Sequence, residues 1–299
     1  MKKLITAAAI VFSCLAANAN TQSVQVVWPF APGSTQAVMV RNLIESANQQ
    51  QSKYQFVFVS RPGAGGAIAA NYAASANTLT VLASTSSFYT RPLMYNESHD
   101  PEQFRLVSAI CLHSPLAMFS RKYTSFSDMK NNDVTVGINP GSVTQLFTRL
   151  LVQHNPEFKF TEVPYKGTPE ATTDMLAKHI DASIDLLSVG NLARLPSDTA
   201  IVGITGTRSL PNMPSLSSLK VKGLNNLTNN YYIFVPRGID QALVQELNRI
   251  FNTAINEAVR ESCNNERGVP ELVPFDRTEK LHQNNQLQWR QITQGITKQ

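Results

Sequence analysis

Apolar positions along the chain fall into short runs that alternate with stretches of helical spacing. Val24 to Trp28 (VQVVW) is a β-branched run, and Pro29 to Thr35 (PFAPGST) interrupts it with turn residues. From Gln36 to Ala47 the residues Val38, Val40, Leu43, Ile44 and Ala47 form one apolar face, predicting a helix that Ser34 or Thr35 caps. Phe56 to Val59 predicts a second strand, Gly66 to Ala74 a second helix, and Thr78 to Ala83 a third strand ending in Ser84-Thr85-Ser86-Ser87. Leu116 to Phe119 reads as one more strand.

The cycle then restarts. Val134 to Ile138 predicts a strand, Asn139-Pro140-Gly141-Ser142 a turn, and Thr144 to Gln153 a helix with Leu146, Phe147, Leu150 and Leu151 on one side. A strand over Phe160 to Val163 leads to Tyr165-Lys166-Gly167-Thr168-Pro169. There Thr168 is expected to cap, and Pro169 to open, a helix over Glu170 to Lys178. Ala182 to Leu187 and Ala200 to Thr205 predict strands, and Tyr231 to Val235 a returning strand. Asp240 is expected to cap one long helix with Leu243, Leu247, Ile250, Ala254 and Ala258 on its inner face, and Thr278 to Thr293 forms a last amphipathic helix.

Strands alternating with helices predict an α/β fold of βαβ units with mostly parallel sheets. Two rounds and a return strand divide the chain into a first lobe over 20–122, a second over 123–230, and a return to the first lobe with C-terminal helices over 231–299. No low-complexity tract or short-period repeat interrupts this.

Composition changes the picture mainly at the N-terminus. The chain has 299 residues, 42% of them hydrophobic and 16% charged, with a formal net charge of +5. Its basic residues are scattered, which excludes a nucleic-acid footprint. Lys2 and Lys3 precede an apolar stretch from Leu4 to Ala16 and then Ala17-Asn18-Ala19. That predicts a signal peptide over 1–19, cleaved near Ala19, and a periplasmic mature protein. The stretch falls short of the ~20 residues of a membrane span. Cys14 in V-F-S-C admits lipidation, but Phe12 fits that pattern less well than Ala17-Asn18-Ala19 fits cleavage. Cys111 and Cys263 are left open between a disulfide, which export permits, and two buried thiols.

Five turns share one grammar: PFAPGST, RPGAGG, STSS, NPGS and YKGTP. Each follows a predicted strand and most precede a helix, the place where open α/β sheets bind ligands. Free N–H groups and the helix dipole attract anions there. Any one such turn needs only turn or cap chemistry to explain it. The set, in corresponding places, predicts a pocket for carboxylates or phosphates.

Nucleotide chemistry is excluded by the same turns. RPGAGG lacks the Lys of a phosphate-binding loop, Ile68 stands where a dinucleotide loop needs a small residue, and no acidic residue follows at the ribose spacing. The histidines His99, His113, His154, His179 and His282 are isolated and show no metal spacing. Ser127-Asp128-Met129-Lys130 has the S-x-x-K form without its companion motifs and reads as a capped surface turn. Asp181 and Asp185, four apart on a predicted strand, have no base or metal beside them. No cofactor is implied.

In this order the segments VVWPFAPGSTQAVMVR (26–41), VSRPGAGGAIAA (59–70), VGINPGSVTQLF (136–147), VPYKGTPEATTDMLAKHIDASID (163–185) and GTRSLPNMPSL (206–216) resemble the Bug family. These are periplasmic solute-binding proteins of tripartite tricarboxylate transporters, and the resemblance spans nearly the whole mature chain. It implies a two-lobed, type II periplasmic binding fold, a cleft between the lobes, and hinge closure on a small organic carboxylate. It implies ligand contacts from Phe30, Ala31, Gly33, Ser34 and Thr35, from Gly65 and Gly66, and from Ser84, Thr85 and Ser86. It implies more from Gly141, Ser142, Thr144, Tyr165, Thr168 and Asp185. The implied partners are membrane permease subunits, and the implied state is a monomer without catalytic activity.

The chain departs from the family pattern at several of these places. Ser34 replaces a glycine of the first loop, Ala37 replaces an Asp that would partner an ammonium group, and Asn229 to Phe234 alters the segment at the return strand. Two other functions fit an exported α/β binding fold. One is a ligand sensor for a membrane kinase; the other is a hydrolase using Asp181, Asp185 or Ser127.

Overall fold

The computed structural model describes residues 21–299. The predicted signal peptide and Cys14 lie outside them. In chain order the elements begin with β1 (Gln22–Trp28), α1 (Thr35–Gln50), β2 (Tyr54–Ser60), α2 (Ala67–Ser75), β3 (Thr80–Thr85), α3 (Ser87–Met94) and the long β4 (Phe104–Ser120). Then come β5 (Asp133–Ile138), α4 (Val143–His154), β6 (Lys159–Pro164), α5 (Thr168–Leu176), β7 (Ala182–Leu186), α6 (Val189–Leu192) and β8 (Ala200–Ile204). The chain closes with β9 (Thr228–Pro236), α7 (Gln241–Ala254), α8 (Glu257–Asn265), β10 (Val269–Pro270) and α9 (Phe275–Ile292).

The strands form one continuous ten-stranded arrangement, ordered β2-β1-β3-β9-β4-β7-β5-β6, with β8 and β10 also pairing to β4. At one end β1 runs parallel to β2 and β3; at the other β5 runs parallel to β6 and β7. The βαβ reading therefore holds within each lobe. Around β4 and β9 every pairing is antiparallel, so the whole is a curled, mixed sheet rather than two mostly parallel ones. The cause is the chain path. β4 leaves the first lobe and enters the second without a break, and β9 lies back along it from Thr228 opposite Pro115 to Pro236 opposite Phe104.

Three expectations from the pattern need correction. β4 starts at Phe104, not at Leu116; its polar residues Ser108, His113 and Ser114 hide it, and register shifts beside β9 accommodate them. α3 was not anticipated because SFYTRPLM contains a proline and poor helix formers. Packing overrides that propensity: Phe88 stacks on Phe234 at 3.9 Å and Tyr89 is buried beside Tyr232. The long C-terminal helix is two helices, because Asn256 accepts a hydrogen bond from the Val259 N–H and starts α8 afresh. Ala258 is consequently exposed, while Val259 takes the inner position. Cys111 of β4 and Cys263 of α8 form a disulfide, closing the alternative left open by the sequence.

Candidate cleft between the lobes

Four helices begin on the wall of one small cavity. Ser34, the cap of α1, and Gln36 of its first turn reach it from the first lobe, with Phe30, Ala31, Thr85 at the end of β3, and Ser87 at the start of α3. The second lobe supplies Asn139, the α4 cap Ser142, Val143 and Thr144, then Gly167, Thr168 and Pro169 at the start of α5. Asp185 and Leu186 of β7 complete that side, and Leu116 and Asn229 stand where β4 and β9 cross between lobes. The cavity measures about 40 Å³, room for roughly three waters or one carboxylate-sized group.

Its electrostatics follow from the helix starts. Among the described residues no Lys or Arg lines it. Positive potential comes from the N-terminal ends of α1, α3, α4 and α5. At α5 the cap position belongs to Gly167, which offers no side-chain acceptor to the first amides. Thr168 is thus the first residue of the helix and not its cap, and its hydroxyl works on Asp185 instead.

The hydroxyls divide into committed and free. Ser142 Oγ donates to the Asn139 carbonyl at 2.8 Å and accepts from the Thr144 N–H, so its proton is used within the turn. Thr85 Oγ1 donates to Ser87 Oγ at 3.2 Å, which leaves the Ser87 proton for the cavity. Asn229 is 2% exposed; its Nδ2 has no close hydrogen-bond partner among the described residues and interacts only weakly with the Tyr231 hydroxyl. A buried amide donor left unpaired is costly, and here it stands on the wall of the cavity. Ser87 and Asn139 lie in two turns assigned to the pocket but were not singled out as contacts, and Asn229 was not assigned to the pocket. Asn229 is the instructive one, since its segment was seen to depart from the family pattern.

Asp185 is the one acid on the wall and is 7% exposed. Burial pushes its carboxyl up to about 6; the Leu186 N–H, the Thr168 hydroxyl and the charge of Arg194 restrain the rise. Behind the cleft the Tyr231 hydroxyl donates to Glu266, whose burial pushes it up to about 8. Asp181 takes no part. It faces away to pair with Lys122 at 2.8 Å and accepts from the Thr135 N–H.

Several anticipated contacts lie elsewhere. Gly65 and Gly66 sit in a turn packed against protein: a Cβ on Gly65 would overlap the Pro140 carbonyl oxygen, and one on Gly66 would press Pro29. A Cβ on Gly141 would overlap Arg91 Cδ. These glycines allow the loop after β2, the Arg91 side chain and the loop after β5 to close on one another across the lobes. Ser86 is turned toward β9, donating to the Thr228 carbonyl and accepting from the Asn230 N–H. Ser84 is buried within β3 opposite Tyr232. Gly33 is exposed on the outer side of its loop, and Tyr165 donates to Asp174 at 2.6 Å. Thr35 lines an adjoining chamber rather than the inner cavity.

The hydrolase candidates are not assembled. Ser127 is exposed in a short turn held by the Ser125–Asp128 capping box. Among the described residues no cluster of three or more His, Cys, Asp or Glu side chains is placed to hold a metal ion.

Residues 39–297 match the family described as "Tripartite tricarboxylate transporter family receptor". Among curated relatives, Protein BugT of Bordetella pertussis is 26% identical over 284 residues, covering 85% of this chain and 83% of its own. Among solved structures, the periplasmic binding protein BugD superposes with a TM-score of 0.82 at 21% identity, covering 93% of this chain and 99% of its own. An R. palustris protein solved with adipate gives 0.78 at 21% identity over 93% and 97%. MatC from Rhodopseudomonas palustris, with bound malate, gives 0.75 at 19% identity over 92% and 99%.

Proposed function

Because the chain belongs to the family of tripartite tricarboxylate transporter receptors, we propose that it captures a small organic carboxylate in the cleft and presents it to a membrane permease. The protein acts in the periplasm, as a monomer, without chemistry on the ligand. The observation that carries this reading is the Asn229 amide, buried and unpartnered on the wall of a cavity where four helices begin. A carboxylate placed there accepts from Asn229, from Ser87 and from first-turn N–H groups. Relatives solved with adipate and with malate support an acid as ligand. The disulfide supports an oxidising compartment, and the basic, apolar, small-residue order of 1–19 supports export with cleavage near Ala19.

Delivery follows from the two-lobed form. The wall belongs half to each lobe, so a bound acid bridges them and favours the closed arrangement, which the permease distinguishes from the open one. The test is a thermal-shift screen of ligand-free protein against mono-, di- and tricarboxylates, followed by calorimetry. A rise in melting temperature with acids, absent for their neutral amides, supports the reading. Folded protein that responds to no acid removes it.

A further inference from the structure

Beside the inner cavity lies a second chamber of about 140 Å³. The two share Ser34, Gln36, Thr168, Pro169 and Asp185, so they adjoin along those residues. Their chemistry differs. The inner chamber has helix starts, neutral donors and the Asp185 carboxyl, and no basic side chain among its described lining residues. The outer chamber contains Arg194, the one Lys or Arg side chain on the described walls of either. Arg194 follows α6, is exposed, and makes no ion pair among the described residues.

Two further features show what this chamber lacks. The Thr172 hydroxyl on its wall is buried and has no partner. Phe119, Leu176 and Leu195 give part of the wall a surface suited to methylenes, beside the polar Thr35, Thr173 and Asn191. A space that joins helix-start donors in the inner chamber, a partly apolar wall, and a guanidinium in no ion pair among the described residues fits a linear molecule with an acid at each end.

Resting on the carboxylate reading above, we propose that the outer chamber is a second acid subsite in which Arg194 selects ligands with a distal carboxylate. The first carboxylate occupies the inner cavity. The chain lies along Phe119, Leu176 and Leu195. The second carboxylate accepts from Arg194, which offers paired N–H donors. A monoacid leaves Arg194 without a partner and gains only the inner contacts. Arg194 stands at the solvent side, so it acts as a selector and not as a support of the fold.

Calorimetry with matched pairs tests this: succinate against butyrate, glutarate against valerate, adipate against hexanoate, on the wild-type chain and on Arg194→Gln. At least one diacid is expected to bind about tenfold or more tightly than its matched monoacid, the scale of one charge-assisted pair. Measured well above pH 6, where Asp185 is ionised, Arg194→Gln is expected to abolish that preference and leave monoacid affinity unchanged, which also reports an intact fold and inner cavity. Monoacids binding as tightly as diacids to the wild type, or a preference that survives in Arg194→Gln, overturns the second subsite and leaves the first standing. Binding of none of the six acids removes the carboxylate reading and this one together.

Discussion

The loop after β2 (Arg61 to Gly66) and the loop after β5 (Asn139 to Thr144) are written in the same small, glycine-bearing language and end in different roles. Both connect a parallel strand to a helix. In the second, Asn139, Ser142 and Thr144 face the cavity, and Gly141 makes room for Arg91. In the first, Gly65 takes φ 57° and presses against Pro140 of the other lobe, while Gly63 and Gly66 pack on Ile68 and Pro29 of their own, so its glycines serve protein contact. Small residues mark where backbone approaches something closely. They do not say whether that something is ligand or protein. What separates the two loops is the polar side chain: the loop with amide and hydroxyl groups beside its glycine meets the ligand space.

The largest expected effect breaks the first loop. Gly65→Val places a branched side chain at positive φ against the Pro140 carbonyl, and a loss of stability of about 2–4 kcal/mol is expected by denaturant unfolding. Unchanged stability with lost affinity would return this loop to the ligand. Next, Asn229→Leu keeps the volume and removes the unpartnered amide. Acid affinity should fall about 10- to 100-fold while the melting temperature holds or rises, the opposite division from Gly65→Val.

A smaller effect concerns pH. Asp185 sits at about 6 in the fold against 3.8 for an ordinary aspartate. Its ionisation is therefore harder in the folded chain. The resulting penalty is complete above pH 6 and relieved as pH falls through 6 toward 4. Glu266, at about 8 against 4.5, acts with the same sign over a higher window. Acid affinity should rise as pH falls through 6, because a neutral Asp185 does not repel the ligand. Asp185→Asn should flatten that profile and raise the melting temperature above pH 6; a profile that keeps its slope assigns the proton to another group. Smallest of all, Ser142→Ala should cost about 1 kcal/mol as a lost cap, with little change in affinity, whereas Ser87→Ala should weaken binding a few-fold and leave stability alone. A reversal of the two would show that the Ser142 proton reaches the ligand after all.

The comparison also explains what could be read without coordinates. Within each lobe the parallel strands and their helices were legible because β-branched runs and helical faces alternate cleanly, as at VQVVW and at Leu146 to Leu151. Phe30, Ser34, Thr85, Ser142, Thr168 and Asp185 were placed near one another because turns at strand ends share one side of a sheet. Less was legible where packing decides. α3 contains Pro92 and is helical because Phe88 and Tyr89 fill the space under β9. Asn229 could not be recognised as a donor, since its value lies in having no partner, which is a property of the surroundings. Arg194 carries no sequence mark at all; its neighbours in the outer chamber come from α1, β4, α5, β7 and α6 or the loops beside them.

One further consequence follows from the path of β4. β4 and β9 carry the chain between the lobes as strand, so the proposed closure would bend an elastic ribbon rather than swing a slack joint. The Cys111–Cys263 bridge clamps that ribbon on the first-lobe side, at the register shift between Cys111 and Ser114. Bending is thereby confined to the few residues beyond the clamp, next to Leu116 and Asn229 on the cavity wall. Compliance and recognition share the same short span. A reducing environment should soften the spring, and the time the lobes stay shut should shorten before any wall contact is lost.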